Sequence, residues 1–171
     1  MPSDPQPSRS VVTTSPIGRL ELVERGGALV AIRFDASADG SPEHERGGSA
    51  VLTEAHAQLA AYFAGRLRVF DLPLRPAGTD FQRRVWDVLA EIPWGTITTY
   101  GAIAAELGLP PGASRAVGSA NGANPIPVVL PCHRVVGADG TLTGYAGGLE
   151  RKAQLLHLEG VATEADQDAL F

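Results

Sequence analysis

One cysteine, one methionine and one lysine occur among 171 residues. No apolar run approaches the ~20 residues that a helix needs to cross a bilayer. A single cysteine cannot close an internal disulfide, so a reducing cytoplasm is the expected setting. It also excludes any cysteine-rich zinc site, and four scattered histidines promise no metal site. Met1-Pro2-Ser3-Asp4-Pro5 has neither the basic stretch nor the apolar stretch of a secretory signal, and no membrane partner is expected. Internal repeats are missing too. A basic excess, the usual mark of a nucleic-acid binder, is also lacking: the net charge is -5. That excess of acid is local. Residues 1–78 carry 8 basic and 9 acidic groups and residues 79–160 carry 6 and 7, so the rest lies in the tail, at Glu164, Asp166 and Asp168. Net charge governs solubility and long-range steering, not a local contact. Composition permits nucleic-acid binding without pointing to it.

The hydrophobic fraction of 44% suits a globular chain with a core, long enough for one ordinary domain or two small ones. Short apolar runs at Val11 to Thr14, Leu20 to Val23 and Ala28 to Phe34 predict strands, separated by the turn signals Ser15-Pro16-Ile17-Gly18 and Gly26-Gly27. A polar stretch from Ala36 to Gly48 predicts an exposed loop in which His44 is solvated. Leu52, Ala55, Leu59 and Tyr62 share one face of a helix predicted over Ala50 to Ala64, with His56 at its surface. Pro73 and Pro76 mark an extended connection and a domain boundary, dividing the chain into residues 1–76 and 77–171.

Beyond that boundary the pattern turns helical. Thr79 with Gln82 three residues later reads as a capping box, followed by Phe81, Val85, Val88, Leu89 and Ile92 at helical spacing. Pro93-Trp94-Gly95 ends that helix. Tyr100 to Leu107 predicts a short helix, and Ser114 is the expected cap of another over Arg115 to Asn121. Two short helices joined by a Gly/Pro turn fit a helix-turn-helix or an ordinary helical hairpin. A hairpin is expected across Ala138-Asp139-Gly140. The last helix, Leu149 to Leu158, should bury Leu149, Ala153 and Leu156.

Chemistry concentrates at Pro131-Cys132-His133-Arg134. A thiol becomes a nucleophile by losing its proton, and an adjacent imidazole is a ready acceptor. A lone cysteine among valines and leucines can also be a small core side chain. Five stretches decide between these: Arg115-Ala-Val-Gly118, Asn124-Pro-Ile-Pro127, Pro131-Cys-His-Arg-Val135, Gly144-Tyr-Ala-Gly-Gly148 and Leu155-Leu-His-Leu-Glu-Gly160. In order and spacing, the segment from Gly95 to Gly160 resembles the O6-alkylguanine-DNA alkyltransferases, the methylated-DNA–protein-cysteine methyltransferases. A weaker resemblance covers Thr14-Ser15-Pro16-Ile17-Gly18 and the strands after it.

The resemblance implies an α/β N-terminal domain, and a mostly α C-terminal domain with a winged helix-turn-helix and a short polar tail. The implied activity is DNA repair: direct, irreversible transfer of an alkyl group from O6-alkylguanine, and from O4-alkylthymine, to Cys132. Each molecule would act once, without cofactor or metal, as a monomer on the minor groove of alkylated duplex DNA. His133 would be the base, reached in a turn through a water, and Glu159 the acid that orients and charges it. Tyr100 would donate to the extruded base. Arg115 would enter the duplex in its place, while Ala116 and Gly118 allow close approach to the sugar-phosphate rails. Asn124 would tie the recognition helix to the active-site turn. Val135, Tyr145 and Ala146 would line the pocket, with alanine standing where some members have serine. Two other readings remain: a noncatalytic alkyl-base-binding protein, which Cys132 opposes, and a Cys-His hydrolase, which repeated turnover would reveal.

Overall fold

A computed structural model describes residues 6–42 and 44–163. The acidic tail residues Glu164, Asp166 and Asp168, and the opening segment Met1 to Pro5, lie outside the described residues. The chain divides into two compact units, one ending at Ala77 and the other beginning at Gly78.

The first unit is built on β1 (Ser8–Ser15), β2 (Gly18–Arg25) and β3 (Ala28–Phe34), which form an antiparallel meander. Gly26 and Gly27 have φ of 60° and 80° and join β2 to β3, since a two-residue hairpin whose twist matches the strands needs positive φ at both positions. β4 (Glu45–Arg46) adds to the other edge, parallel to β1, giving the order β3-β2-β1-β4. α1 (Ala50–Phe63) begins at Ser49, whose side chain accepts from the Leu52 N–H, and it buries Leu52, Ala55, Leu59 and Tyr62. Leu20, Leu22, Leu29 and Ile32 supply the sheet's share of that core.

The stretch expected to be an exposed loop is partly built in. Glu21 on β2 is buried and accepts from the Ser41 backbone N–H at 2.8 Å and from its hydroxyl at 2.6 Å. A buried carboxylate needs such donors, and here they come from the loop. His44 is half-buried, its Nδ1 2.6 Å from the Ser8 hydroxyl, and not a solvated side chain. The Gln58 side chain grips both backbone groups of Asp71, and Leu29 bridges the extended connection at Leu74.

The second unit contains α2 (Asp80–Ala90), α3 (Tyr100–Glu106), α4 (Ser114–Gly122) and α5 (Leu149–Leu158). The capping box of α2 is present in both directions: Gln82 N–H to the Thr79 hydroxyl and Thr79 N–H to the Gln82 carbonyl. Trp86, absent from the expected stripe, is buried, and its indole N–H reaches the Ala120 carbonyl at 2.8 Å, tying α2 to α4. A Cβ added at Gly78 would stand 2.4 Å from that indole. Gly78→Ala is therefore expected to destabilise the protein by about 1–3 kcal/mol through overpacking, measured by urea denaturation against wild type; an unchanged midpoint would mean that the ring moves freely.

Several local expectations need correction. Thr99, not foreseen as a cap, accepts from the Ala102 N–H at the start of α3, whereas α4 begins at Ser114 itself, with Ala113 as cap and no side-chain capping bond. The residues around Ala138-Asp139-Gly140 close a turn, with Gly137 N–H on the Thr141 carbonyl, but form no two-stranded hairpin. Val135–Val136 instead form β6, parallel to β5 (Thr98–Thr99). On α5 the buried residues are Lys152, Leu155 and Leu156, and Leu149 is 48% exposed. No helix among the described residues is long and apolar enough to cross a membrane.

Candidate active site

The segment that leads from α4 to Cys132 is irregular and held by side chains. Asn124 is buried: its carbonyl oxygen accepts from the Ile126 N–H at 2.9 Å and its amide donates to the Leu130 carbonyl at 2.7 Å. The first bond is the asparagine's usual local turn, and the second closes the loop toward the site. Within it Val128 adopts φ of 72°, a left-handed conformation that costs a β-branched residue on the order of 1–3 kcal/mol. Asn124 and the buried residues Ile126, Val129 and Leu130 hold it there. Pro131 (φ −80°, ψ 65°) then makes an inverse γ-turn, with the Cys132 N–H on the Leu130 carbonyl at 2.7 Å. Proline suits that position because its ring fixes φ and it has no N–H to leave unpaired.

Cys132 therefore opens a single 3₁₀ turn, Cys132–Arg134, the turn geometry expected for cooperation between adjacent residues. Cys132 is 4% exposed and His133 fully buried. His133 Nε2 lies 2.7 Å from Glu159 Oε2. A carboxylate only accepts, so Nε2 carries the proton and Nδ1 the lone pair. Among the described residues Nδ1 is buried with no hydrogen-bond partner. Arg134, which sequence reasoning missed, is buried on the same carboxylate: Nε to Oε1 at 2.7 Å and Nη2 to Oε2 at 3.0 Å, while Nη1 donates to the Ile92 carbonyl. Glu159 is not a surface carboxylate at a helix end but 4% exposed and shared between an imidazole and a guanidinium.

Burial dominates the proton equilibria. It lowers the His133 pKa, and the hydrogen bond and charge of Glu159 offset it only in part. The imidazole is thus neutral at rest, not charged as the resemblance implied. Burial pushes the Cys132 thiol up to about 11, against the Asn124 amide, the charge of Lys152 and the N–H groups of Cys132 and His133. The resting pair is a thiol beside a neutral imidazole. Such a pair stores no thiolate, but it is set to make one by proton transfer.

The other expected residues fall into two groups around this turn. Tyr100 begins α3, and its hydroxyl donates to the Thr143 carbonyl at 3.1 Å and accepts from the Thr143 hydroxyl at 3.2 Å. Val135 is fully buried directly after the turn. Tyr145 is half-buried and Ala146 exposed, in a segment without regular structure. Arg115 and Ala116 are exposed on α4, whose other face buries Val117, Ala120 and Asn121. Gly118 lies against the Tyr100 ring, where an added Cβ would be 3.7 Å away. Small size there serves the packing of α4 on α3. Two more residues escaped the sequence reading. Asn121 reaches the Cys132 carbonyl at 3.4 Å, and Lys152 is completely buried on α5. The chain's only lysine, seven residues before Glu159 and so on the same helical face, was a signal available in the sequence.

Known proteins share both units. Residues 80–161 match the DNA-binding domain, and residues 9–76 the ribonuclease-like domain, described for 6-O-methylguanine DNA methyltransferase. The methylated-DNA–protein-cysteine methyltransferase of Mycobacterium bovis is 49% identical over 153 residues, covering 89% of this chain and 92% of its own. Among solved structures, the O6-methylguanine methyltransferase of Mycobacterium tuberculosis superposes with a TM-score of 0.81 at 44% identity, covering 96% of this chain and 99% of that one. The OGT of the same organism in complex with DNA gives 0.80 at 46% identity, covering 92% and 96%. The chain belongs to the methylated-DNA–protein-cysteine methyltransferase family.

Proposed function

We propose that this protein repairs alkylated DNA by moving the alkyl group of O6-alkylguanine, and of O4-alkylthymine, onto Cys132. The observation that carries this is the turn itself: the chain's only cysteine stands beside a buried imidazole whose far nitrogen is fixed on a carboxylate. His133 Nδ1 takes the thiol proton, directly supported by its free lone pair, and Glu159 stabilises the imidazolium that results. The sulfur then forms a bond to the alkyl carbon while the carbon–oxygen bond breaks, and the electron pair stays on the purine oxygen. A thioether has no leaving group for water to displace, so each molecule acts once.

The target must leave the helical stack before the sulfur can reach it. Tyr100 supplies a hydroxyl that exchanges its Thr143 partner for the extruded base. Val135, Tyr145 and Ala146 enclose it, and the alanine leaves a backbone N–H as the donor available at that position. α4 enters the minor groove, with exposed Arg115 and Ala116 toward the DNA. The protein acts as a monomer, and six basic residues in 79–160 make its binding modestly salt-dependent.

Arg115→Ala tests the DNA half of this reading. If the guanidinium fills the space of the extruded nucleotide, the variant loses far more rate on duplex O6-methylguanine than on a free O6-alkylguanine base. Flipping costs about a few kcal/mol, which the free base does not bear. Arg115→Lys should recover only part of the duplex rate, because an ammonium cannot stack as a plane. Equal losses on both substrates would assign Arg115 to the pocket or the fold.

A further inference from the structure

Two cations are buried in the second unit, and they are compensated differently. Arg134 shares the carboxylate of Glu159. Lys152, fully buried, donates only to backbone carbonyls: Thr143 at 2.7 Å and Gly144 at 3.3 Å. Among the described residues no carboxylate lies within ion-pair distance of it. An ammonium held in the interior against two carbonyl dipoles is expensive, because its charge is solvated by nothing comparable to water. A fold that keeps its single lysine there is holding a charge for another group.

The placement of α5 shows which group. Lys152 precedes Glu159 by seven residues, two helical turns, so both lie on the face packed against the Cys132–Arg134 turn. Glu159 holds His133, the acceptor of the proton. Lys152 interacts electrostatically with Cys132, the donor, each supporting the charged form of the other against burial. Moving the proton breaks the S–H bond, leaves its electron pair on sulfur and forms N–H on His133 Nδ1. The negative charge then appears beside the lysine and the positive charge beside the carboxylate. The remaining groups that face this pair are Arg134, neutralised by Glu159, the Tyr100 hydroxyl on the Thr143 carbonyl, and the uncharged amides of Asn121 and Asn124.

We propose that Lys152 is a positioning residue of the transfer: it is the standing counter-charge of the Cys132 thiolate, set against Glu159 so that α5 polarises the Cys132–His133 pair toward proton transfer. The same ammonium pins the carbonyls at the head of the segment carrying Tyr145 and Ala146. The inference rests on the reading of Cys132 as nucleophile.

A single lysine permits a direct test, since the chain labelled with ¹³C-lysine gives one lysine resonance to follow against pH. Coupled groups titrate together, so removing one moves the other. In Cys132→Ser the Lys152 midpoint should fall below the wild-type value by about one pH unit or more. By reciprocity Lys152→Met should raise the midpoint of thiolate formation at Cys132, followed by ultraviolet absorbance, by the same interval. Identical Lys152 midpoints in wild type and Cys132→Ser would overturn the inference, whether or not Lys152→Met folds. Failure of the nucleophile reading is separate: it would place the transferred methyl group on another residue while leaving this coupling intact.

Discussion

Cys132→Ser abolishes alkyl transfer to below detection while the protein still folds and still binds alkylated duplex. The two side chains differ by one atom, and Cys132 is 4% exposed at the head of a turn held by Asn124 and Pro131, none of which the substitution touches. Stability should change by about 1 kcal/mol, the net cost of placing a hydroxyl where a thiol was. Chemistry changes far more. A serine hydroxyl is a weak nucleophile whose proton His133 cannot hold, whereas a thiol lies within reach of an imidazole base. Loss of methyl from duplex DNA and electrophoretic binding measure the two halves separately. A serine variant that still transfers would remove Cys132 from its role.

Glu159→Ala produces the largest loss of stability, about 3–5 kcal/mol. The carboxylate accepts from His133 at 2.7 Å and from Arg134 at 2.7 and 3.0 Å, all of it buried. Its removal leaves a guanidinium and an imidazole N–H without an acceptor, and an unpaired interior charge costs more than the pair contributes. Glu159→Gln keeps the shape and one acceptor, so more of the stability survives. It removes the charge that stabilises the imidazolium, and transfer to the free base should slow by about 10²-fold or more, the usual contribution of a positioned base. Denaturation and single-turnover rates on the folded fraction separate these effects. A rate per folded molecule equal to wild type would reduce Glu159 to a structural residue.

What could be read from the sequence was whatever is encoded locally. The Thr79–Gln82 box and the Gly26-Gly27 hairpin are short-range patterns with one dominant geometry, and both occur as such. Helical spacing gave α5 its limits but the wrong face, because Leu149 sits in the first turn, where α5 emerges into solvent. Ser114 failed as a cap because the chain before it is already helical, with Ala113 at φ −75°, ψ −1°. The pairing of β5 with β6 joins Thr98 to Val135, and two-residue strands so far apart leave no periodic trace. Cys132 and His133 stood out by residue type. Arg134 and Lys152 did not, since nothing local reveals that a cation will be buried until a carboxylate or a thiol arrives from elsewhere in the fold. His44 and Ser41 were misread for the same reason: a polar loop is solvated unless a buried acid such as Glu21 needs its donors.

The most direct measurement is the mass of the protein after incubation with excess duplex DNA containing O6-methylguanine. The expected product carries one methyl group, located by peptide mapping on Cys132, and repair stops at one equivalent per molecule. A methyl group on any other residue, or continued repair beyond one equivalent with Cys132 unmodified, would contradict the account.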